Sequence, residues 1–458
     1  MNIKSIFLTS FIFIFCALLL APMPTKAEVH GLEIFEVDTF EDLVDGMSNG
    51  ICSAGSFTGG PCSLRAAVSE AFNVNYQDLD LLIRLPYGTY KLTQTDPSLG
   101  EDKYFGDLDF LPNAPPGNVR TVTIEGTGDQ PSVIDGNRTD RVFEIGENFN
   151  IILKNVVITR GVLVANAGMI MKGGGIYQHE NSTLELDKVR VTENQVLCLD
   201  CASAWGGGIH SFRSKLTIKR SEIDHNFANN GTAIDFLLGD ILLIRDSAIH
   251  SNGDDERWAI VTRGRLLNII NSTVAGEIQG RNSGVWVQNS TLFIIQDPAD
   301  SDFYANNIML YTTDGSRKTL RIKNSILYTQ LGYTPNVHAG DNCHIGPGID
   351  VHILGGNVFT DESCPHDTAQ SDVIVTNPMH VRLGKLMNNG GRTPTRALLP
   401  GSPAVNRRDG PCYILLGDPD NPSSSLLLSD QRGADRDRKC DSGAFEAPPK
   451  VHIPAVFK

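Results

Sequence analysis

The sequence predicts an all-β protein built as a parallel β-helix, and two observations lead to this prediction. Similar segments recur between residues 141 and 329, each anchored by an apolar residue, at intervals of 33, 33, 25, 26, 25 and 23 residues. Within each copy, apolar and polar residues alternate in short runs, which is the period of a strand with one buried face. A helix-free repeat of this length forms one coil of a β-solenoid. The anchoring residues are Phe143, Ile176, Ile209, Ile234, Ile260, Val285 and Ile308.

Polar residues also recur at equivalent places in successive copies. One set, at the end of a strand, is Asn194, Asn226 and Asn252, and a second set, after a bend, is Ser221, Ser247, Ser272 and Ser325. Equal positions of stacked coils lie about 4.8 Å apart, so we expect these side chains to hydrogen-bond along the axis. Asn and Ser are also common turn formers, and both interpretations require a solenoid.

The N-terminus indicates export. Lys4 precedes an apolar run from residue 6 to residue 20, and small Ala27 ends the segment. This order is typical of a secretory signal peptide, so residues 1–27 are predicted to be removed. The run is too short for a comfortable membrane span, and no transmembrane segment is predicted. We expect a secreted protein, outside the cell or on a bacterial cell surface or outer membrane.

Eight cysteines follow the predicted signal peptide. An even number in an exported chain favours disulfides over metal or redox chemistry. Their grouping along the chain favours pairs between neighbours, although a C-x-x-C motif could also be half of a zinc or redox site. The predicted pairs are Cys52 with Cys62, Cys198 with Cys201, Cys343 with Cys364, and Cys412 with Cys440.

The charge of the chain restricts its partners. The formal net charge is −14, and loss of Lys4 and Lys26 with the signal peptide makes it −16. This disfavours nucleic acid, which requires a positive surface, and anionic lipid. The negative charge excludes neither uncharged ligands nor calcium. No cofactor and no metal ligands are predicted.

A solenoid needs caps, because its open ends would expose unpaired strand edges. The sequence predicts an N-terminal cap over 28–120, coils over 121–330, a C-terminal cap containing disulfides over 331–446, and a tail over 447–458. In the N-terminal cap, Ser63 is a suitable helix N-cap. The apolar residues after it recur on one helical face, which predicts a short helix covering the first coil. They are Leu64, Val68 and Phe72, with Ala67 and Ala71 beside them.

Three motifs resemble known families. "CSLRAAVSEA" (62–71) resembles the CSLREA-type N-terminal domain of exported bacterial β-helix proteins. "LMNNGGRTPTRALLPGSPAVN" (386–406) with "DQRGADRDRKCDSGAFE" (430–446) is similar to the C-terminal signature of the choice-of-anchor Q family. The "GGGI" coils between them resemble the pectin-lyase-like right-handed β-helix. The resemblance implies a right-handed parallel β-helix and a variable surface anchor. Ala66 stands where these families usually have Glu, so the reciprocal half of a capping box is missing.

The outer face of one sheet is the predicted ligand site. If the anchoring residues point inward, the residues one and three places further along point outward. That face holds aromatic side chains for stacking on sugars, together with histidine, one carboxylate and arginine. The paired carboxylates of sugar hydrolysis are absent from it. The candidate residues are Tyr177, His179, His210, Asp235, Arg263, Trp286, Gln288 and Tyr311.

Three functions remain open, and fold alone does not choose between them. The favoured hypothesis is a non-catalytic secreted or cell-surface protein that acts in glycan or surface binding, or in adhesion. The first alternative is a polysaccharide lyase or glycoside hydrolase acting on the predicted face. The second is a purely structural, passenger-like module. The expected partner is an extracellular glycan or a cell-surface protein, and the expected state is a monomer.

Overall fold

The computed structural model describes residues 31–47, 49–55, 59–71, 79–94, 106–110, 120–165, 170–198, 203–253, 258–295, 305–330, 340–418 and 421–448. The chain divides into two compact units, Met1–Gly31 and Leu32–Lys458, and the second contains all of these residues except Gly31. The predicted signal peptide, together with the tail beyond residue 448, lies outside the described residues.

Three long sheets wind around one core. Within the described residues, sheet A contains, in spatial order, Gly31–Glu36, Leu79–Leu85, Arg120–Gly126, Phe149–Lys154, Thr183–Asp187, Lys215–Lys219, Ile241–Arg245, Leu266–Ile270, Gly284–Gln288, Lys318–Lys323 and Ile349–Ile353. Sheet B contains Thr89–Lys91, Ser132–Asp135, Val156–Thr159, Arg190–Thr192, Glu222–Asp224, Ala248–His250, Thr273–Ala275, Thr291–Ile295, Ile326–Gln330, Val358–Phe359 and Val373–Ile374. Sheet C contains Leu108–Phe110, Phe143–Ile145, Ile176–Gln178, Ile209–Phe212, Ile234–Leu237, Ile260–Arg263, Ile278–Arg281, Ile308–Tyr311 and Cys343–Ile345.

The remaining elements are short. The helix Leu64–Glu70 precedes the coils, and the 3-10 turns Thr368–Gln370 and Pro378–Val381 follow them. Two parallel strand pairs extend from the coils: Val162–Ala165 with Gln195–Cys198, and Ile170–Lys172 with Ser203–Trp205. Three antiparallel pairs belong to the C-terminal region: Leu383–Met387 with Thr395–Leu398, Arg408–Asp409 with Lys439–Cys440, and Tyr413–Asp418 with Asn421–Leu426.

The parallel register confirms the predicted β-helix. In sheet C, Ile209 pairs with Ile176 on one side and with Ile234 on the other, and all three side chains are fully buried. Equivalent aliphatic residues of sheets A and B are buried opposite them in one continuous core. Burying each such side chain contributes about 1.5–3 kcal/mol, so stacking of the coils supplies the main driving force for folding.

The coils extend further in both directions than the predicted range 121–330. The first coil is formed by Leu79–Leu85, Thr89–Lys91 and Leu108–Phe110, and sheet A continues to Ile349–Ile353. The sequence did not reveal these coils because long insertions separate their strands and hide the repeat.

The turn from sheet A to sheet B explains the recurring serines. The residue before each serine adopts a left-handed conformation with φ between 47° and 53°, as at Asn271 and Asn289, and Asn tolerates this conformation well. The N–H of Ser247 then donates to Ser272 Oγ at 3.1 Å, while Ser272 Oγ donates to the carbonyl of Ile270 at 2.7 Å. The same bonds join Ser221, Ser247, Ser272, Ser290 and Ser325 in one ladder.

The predicted asparagine ladder is also present. Asn194 donates from its backbone N–H and its Nδ2 to Asn226 Oδ1, and Asn226 does the same to Asn252 Oδ1, at 3.0–3.1 Å. All three side chains are buried, where an unpaired amide would be costly. The "GGGI" motif lies beside this ladder. A Cβ at Gly174 would stand 2.7 Å from the carbonyl oxygen of Gly207 in the next coil, so only glycine permits this approach.

The N-terminal helix begins where the sequence predicts. Ser63 Oγ accepts the N–H of Ala66 at 3.0 Å, and the helix packs against strands Leu79–Leu85 and Leu108–Phe110 of the first coil. Arg65 fixes this contact, because its guanidinium pairs with Asp42 and donates to the carbonyls of residues 106 and 107. Phe72 lies outside the described residues.

Three of the predicted disulfides are present: Cys52–Cys62, Cys343–Cys364 and Cys412–Cys440. Cys198 is also disulfide-bonded, and its predicted partner Cys201 lies outside the described residues. Such bonds are typical of proteins that fold in an oxidising compartment. In the part of the chain that the structure describes, no helix is long and apolar enough to cross a membrane.

Candidate functional site

The outer face of sheet C carries two parallel rows of side chains. Alternation along each strand places the central row at the second residue of most strands and the edge row two residues later. The central row is Glu144, Tyr177, His210, Asp235, Val261, Gln279, Met309 and His344. The edge row, which continues the same register, is His179, Phe212, Leu237, Arg263, Arg281 and Tyr311.

Six of the eight predicted site residues lie on these rows, and the placement of Trp286 and Gln288 on them is wrong. Both belong to sheet A, where Trp286 pairs with Asn268 and Arg321. The residue that follows Ile260 in sheet C is Ile278, not Val285, because this coil advances only 18 residues. The spacing of the serine turns, from Ser272 to Ser290, has the same length.

Trp286 and Gln288 are engaged inside the protein. Trp286 is fully buried, with the Arg321 guanidinium 4.5 Å from its ring centroid. Gln288 holds the C-terminal hairpin strand Tyr413–Asp418. Its Oε1 accepts the N–H of Leu415 at 2.6 Å, and its Nε2 donates to the Leu415 carbonyl at 3.0 Å. Gln288 therefore fixes the C-terminal hairpin to sheet A.

The middle of the central row is an internal charge network. His210 Nδ1 lies 2.7 Å from Asp235 Oδ2, and Arg263 lies 3.1 Å from Asp235 Oδ1. His210 and Asp235 are 1% and 0% exposed, and burial lowers the pKa of His210. Trp205, which comes from a strand outside the three sheets, lies over this network with its ring centroid 4.4 Å from the Arg263 guanidinium.

The start of the central row holds the cluster of carboxylates that best resembles a metal site. Asp107, Asp109 and Glu144 are buried, and their oxygens lie within 4.8 Å of one another. Arg141 forms ion pairs with Asp107 and Glu144, and His179 Nε2 lies 2.6 Å from Glu144. Burial raises the pKa of Asp107 well above its usual value. A calcium site needs several ionised oxygen ligands, whereas here the Arg141 guanidinium pairs with two of the three carboxylates and burial favours the neutral form of Asp107. The residues therefore fit an internal ion-pair network better than a calcium site.

The edge row is more accessible than the central row. His179, Phe212, Arg263 and Tyr311 are half-buried and Arg281 is exposed. Six successive coils spaced by about 4.8 Å give the row a length of about 24 Å. It therefore offers aromatic faces and cations along an extended line on the surface, which suits a chain-like ligand.

Arg281 is one of the residues of this face that the sequence analysis missed. The spacing of the two Asn-Ser-Thr turns, at residues 271 and 289, contained the signal. Aligning the coils on those turns places Ile278 after Ile260 and therefore Arg281 after Arg263.

Comparison with known proteins gives one structural similarity. No family model and no curated protein matches the chain. Among solved structures, the chain is similar to a pectate lyase, Pel9A, with 15% sequence identity and a TM-score of 0.36, over 91% of this chain and 98% of that one. The parallel register of the three sheets remains the basis on which the fold is assigned.

Proposed function

We propose that this is a secreted or cell-surface β-helix protein that binds glycan along the edge row of sheet C without catalysing its cleavage. The observation that carries the proposal is the contrast between the two rows. Phe212 and Tyr311 bracket Arg263 and Arg281 on an accessible line. Glu144, His210 and Asp235 of the central row are instead buried and held in ion pairs.

Sugar rings are bound by stacking on aromatic faces and by charged or amide hydrogen bonds at their edges. The half-buried rings of Phe212 and Tyr311 and the two guanidinium groups provide both kinds of contact. Because all of these side chains project from strands of a rigid solenoid, the surface is preformed, and binding requires little ordering of the protein.

Binding is favoured over cleavage because the histidine–carboxylate pair in the middle of the central row, His210 with Asp235, is inaccessible. Glycoside hydrolysis needs two carboxyl groups that reach the sugar, and a lyase needs a base within hydrogen-bond distance of the proton it removes. Asp235 is fully buried, and His210 is 1% exposed. Burial therefore keeps both groups out of contact with a ligand on the surface.

Extracellular location, anchoring and the monomeric state remain part of the proposal. The disulfides support an oxidising compartment. The CSLREA-type and choice-of-anchor Q resemblances add that the protein is attached to, or released from, a bacterial surface.

One observation favours the enzyme alternative. The 2.7 Å contact between His210 and Asp235 has the form of a histidine oriented by a carboxylate, which is the arrangement of many general bases. For it to act, Trp205 and Lys172, which lie over the face, would have to move aside. The alternative of a purely structural module predicts neither binding nor turnover.

A glycan array and a turnover assay test these functions. We expect the wild-type protein to bind, and Tyr311→Ala to weaken binding about tenfold, because stacking of one aromatic ring contributes roughly 1 kcal/mol or more. Tyr87→Ala is the matched control, since Tyr87 is 64% exposed and distant from sheet C in the register. Binding that both variants weaken equally would contradict the proposal, and absence of binding would favour the structural module.

The turnover assay follows the release of reducing ends and unsaturated uronates from a polysaccharide panel. We expect no product. Product that appears with the wild-type protein and disappears in His210→Ala would establish the enzyme alternative instead.

A further inference from the structure

A surface cavity rich in cations lies at the sheet C edge row. Its volume is about 500 Å³. Four of its lining residues are basic and one is acidic, in a chain whose net charge is −14. The basic residues are Arg263, Arg265, Arg281 and Lys318, and the acidic residue is Asp314. The charge of this cavity is therefore opposite in sign to the net charge of the protein.

The two arginines of the edge row are direct neighbours. Arg263 and Arg281 follow Thr262 and Gly280, which pair in adjacent strands, so their backbones are about 4.8 Å apart. Like charges at such positions destabilise a sheet. Asp235 compensates Arg263, but no carboxylate among the described residues compensates Arg281, whose Nε donates to Thr313 Oγ1 at 3.2 Å.

The other two cations of the cavity, Arg265 and Lys318, also differ in whether a carboxylate pairs with them. Arg265 pairs with Asp240 at 2.6 Å and approaches Asp418 at 3.5 Å. Lys318 makes no ion pair at contact distance with any part of the chain that the structure describes, and its charge helps to lower the pKa of Asp314 in the same cavity. Arg281 and Lys318 therefore have the capacity to bind an external anion, and a guanidinium is well suited to a carboxylate or a sulfate.

Leu238 at the cavity provides an independent observation. It has φ of 56° and is 55% exposed. The equivalent turns of other coils hold Asn181, Arg213 and Asn282, also at positive φ, where Asn costs little. A leucine in this conformation is strained by roughly 1–2 kcal/mol and gains nothing from burial. Its exposed side chain presents an apolar surface beside the cations.

We infer that this cavity binds the acidic groups of the glycan, namely uronate carboxylates or sulfate esters, with Arg281 and Lys318 as the principal contacts. The inference rests on the proposed function and adds the chemical class of the ligand. A carbohydrate fits better than a nucleic acid because the cations occupy one cavity, whereas nucleic-acid binding uses many cations distributed along the phosphate backbone.

Titration calorimetry on the full chain provides the test. The probes are hexamers of galacturonate, mannuronate and guluronate, a sulfated neutral hexasaccharide, and the same hexuronates with their carboxyl groups reduced to alcohols. We expect a uronate or the sulfated probe to bind and its uncharged counterpart to bind at least tenfold more weakly. The affinity should also fall as salt is raised, because exposed charges are screened.

Arg281→Gln and Lys318→Gln should each raise the Kd of the acidic probe about tenfold. Arg317→Gln is the control, because Arg317 neighbours Lys318 in sequence but is 81% exposed and pairs with Asp350 instead. Leu238→Asn should weaken binding while raising resistance to denaturant, a combination that a purely structural residue would not give.

Equal binding of acidic and reduced hexamers, unchanged by Arg281→Gln and Lys318→Gln, would overturn this inference and leave the proposed function in place. If none of the sugars binds, both this inference and the proposed function fail. Tighter binding of a single-stranded DNA oligonucleotide than of any sugar would also overturn the inference.

Discussion

The buried ion pair between Arg65 and Asp42 is expected to hold the N-terminal cap on the first coil. Arg65 Nε lies 2.7 Å from Asp42 Oδ1, and the two side chains are 1% and 3% exposed. The same guanidinium donates to the carbonyls of Asp107 and Gly106 at 2.8 and 2.7 Å. One residue of the helix thus joins the N-terminal segment to the coil it covers.

Replacing Arg65 by methionine retains an unbranched apolar side chain and removes the guanidinium with its charge and donors. Asp42 would stay buried, although it would still accept the N–H groups of Thr93 and Gln94 at 2.6 and 2.9 Å. Loss of one partner of a buried pair costs roughly 3–5 kcal/mol. Because those two bonds remain, we expect a cost of about 3 kcal/mol, at the lower end of that range.

Arg84→Met is a matched control. Arg84 also lies 2.7 Å from its carboxylate, Glu36, but the two side chains are 40% and 63% exposed. An exposed pair contributes less than about 1 kcal/mol. The two variants therefore compare one ion-pair distance at two levels of burial.

Hydrogen exchange of helix Leu64–Glu70 is the suitable assay, because it reports the opening free energy of one segment in a solenoid that need not unfold in one step. Adding Asp42→Asn to Arg65→Met should recover about 2 kcal/mol, since no unpaired buried charge remains. Equal losses in Arg65→Met and Arg84→Met would refute the reasoning.

Three further predictions concern stability. Ser272→Ala should lower the unfolding free energy by about 1–3 kcal/mol, because it leaves the buried N–H of Ser247 unpaired. The control Ser424→Ala, on the exposed hairpin, should lower it by less than about 0.5 kcal/mol. Denaturant unfolding measures both. Burial lowers the pKa of Lys323 to about 8. Folding thus disfavours its charged form, and the unfolding free energy should rise as pH increases from 8 toward the unfolded value of 10.5. Lys323→Met should remove that rise. Replacing Cys412 and Cys440 by Ser opens a bridge with a sequence separation of 28 and should cost about 3–4 kcal/mol, which calorimetry can measure.

The fold was predictable because its signals are local and repeated. Alternation such as that around Ile209 and Ile234 recurs along the coils, and the turn serines and the three ladder asparagines recur in successive coils, so one interpretation accounts for all of these copies. The boundaries were less predictable. Long insertions separate the strands of the first coil, Leu79–Leu85 and Leu108–Phe110, so no constant spacing indicates them.

The site was predictable only in part, for two physical reasons. The prediction assumed a coil of about 25 residues after Ile260, whereas the structure has one of 18 residues. Trp286 was therefore assigned to sheet C although it lies in sheet A. Burial was not visible either, because Lys172 and Trp205 come from strands outside the three sheets and lie over the middle of the face. Alternation places His210 and Asp235 outside the core but does not reveal what covers them.

Hydroxyl-radical footprinting with mass spectrometry tests the proposed binding surface most directly. With the glycan selected on the array bound, Phe212 and Tyr311 of the edge row should be protected from oxidation. Tyr87 and Tyr413, which are 64% and 39% exposed, should react as in the free protein. Protection at Tyr87 or Tyr413 with none at Phe212 and Tyr311 would place the ligand elsewhere and contradict glycan binding on sheet C.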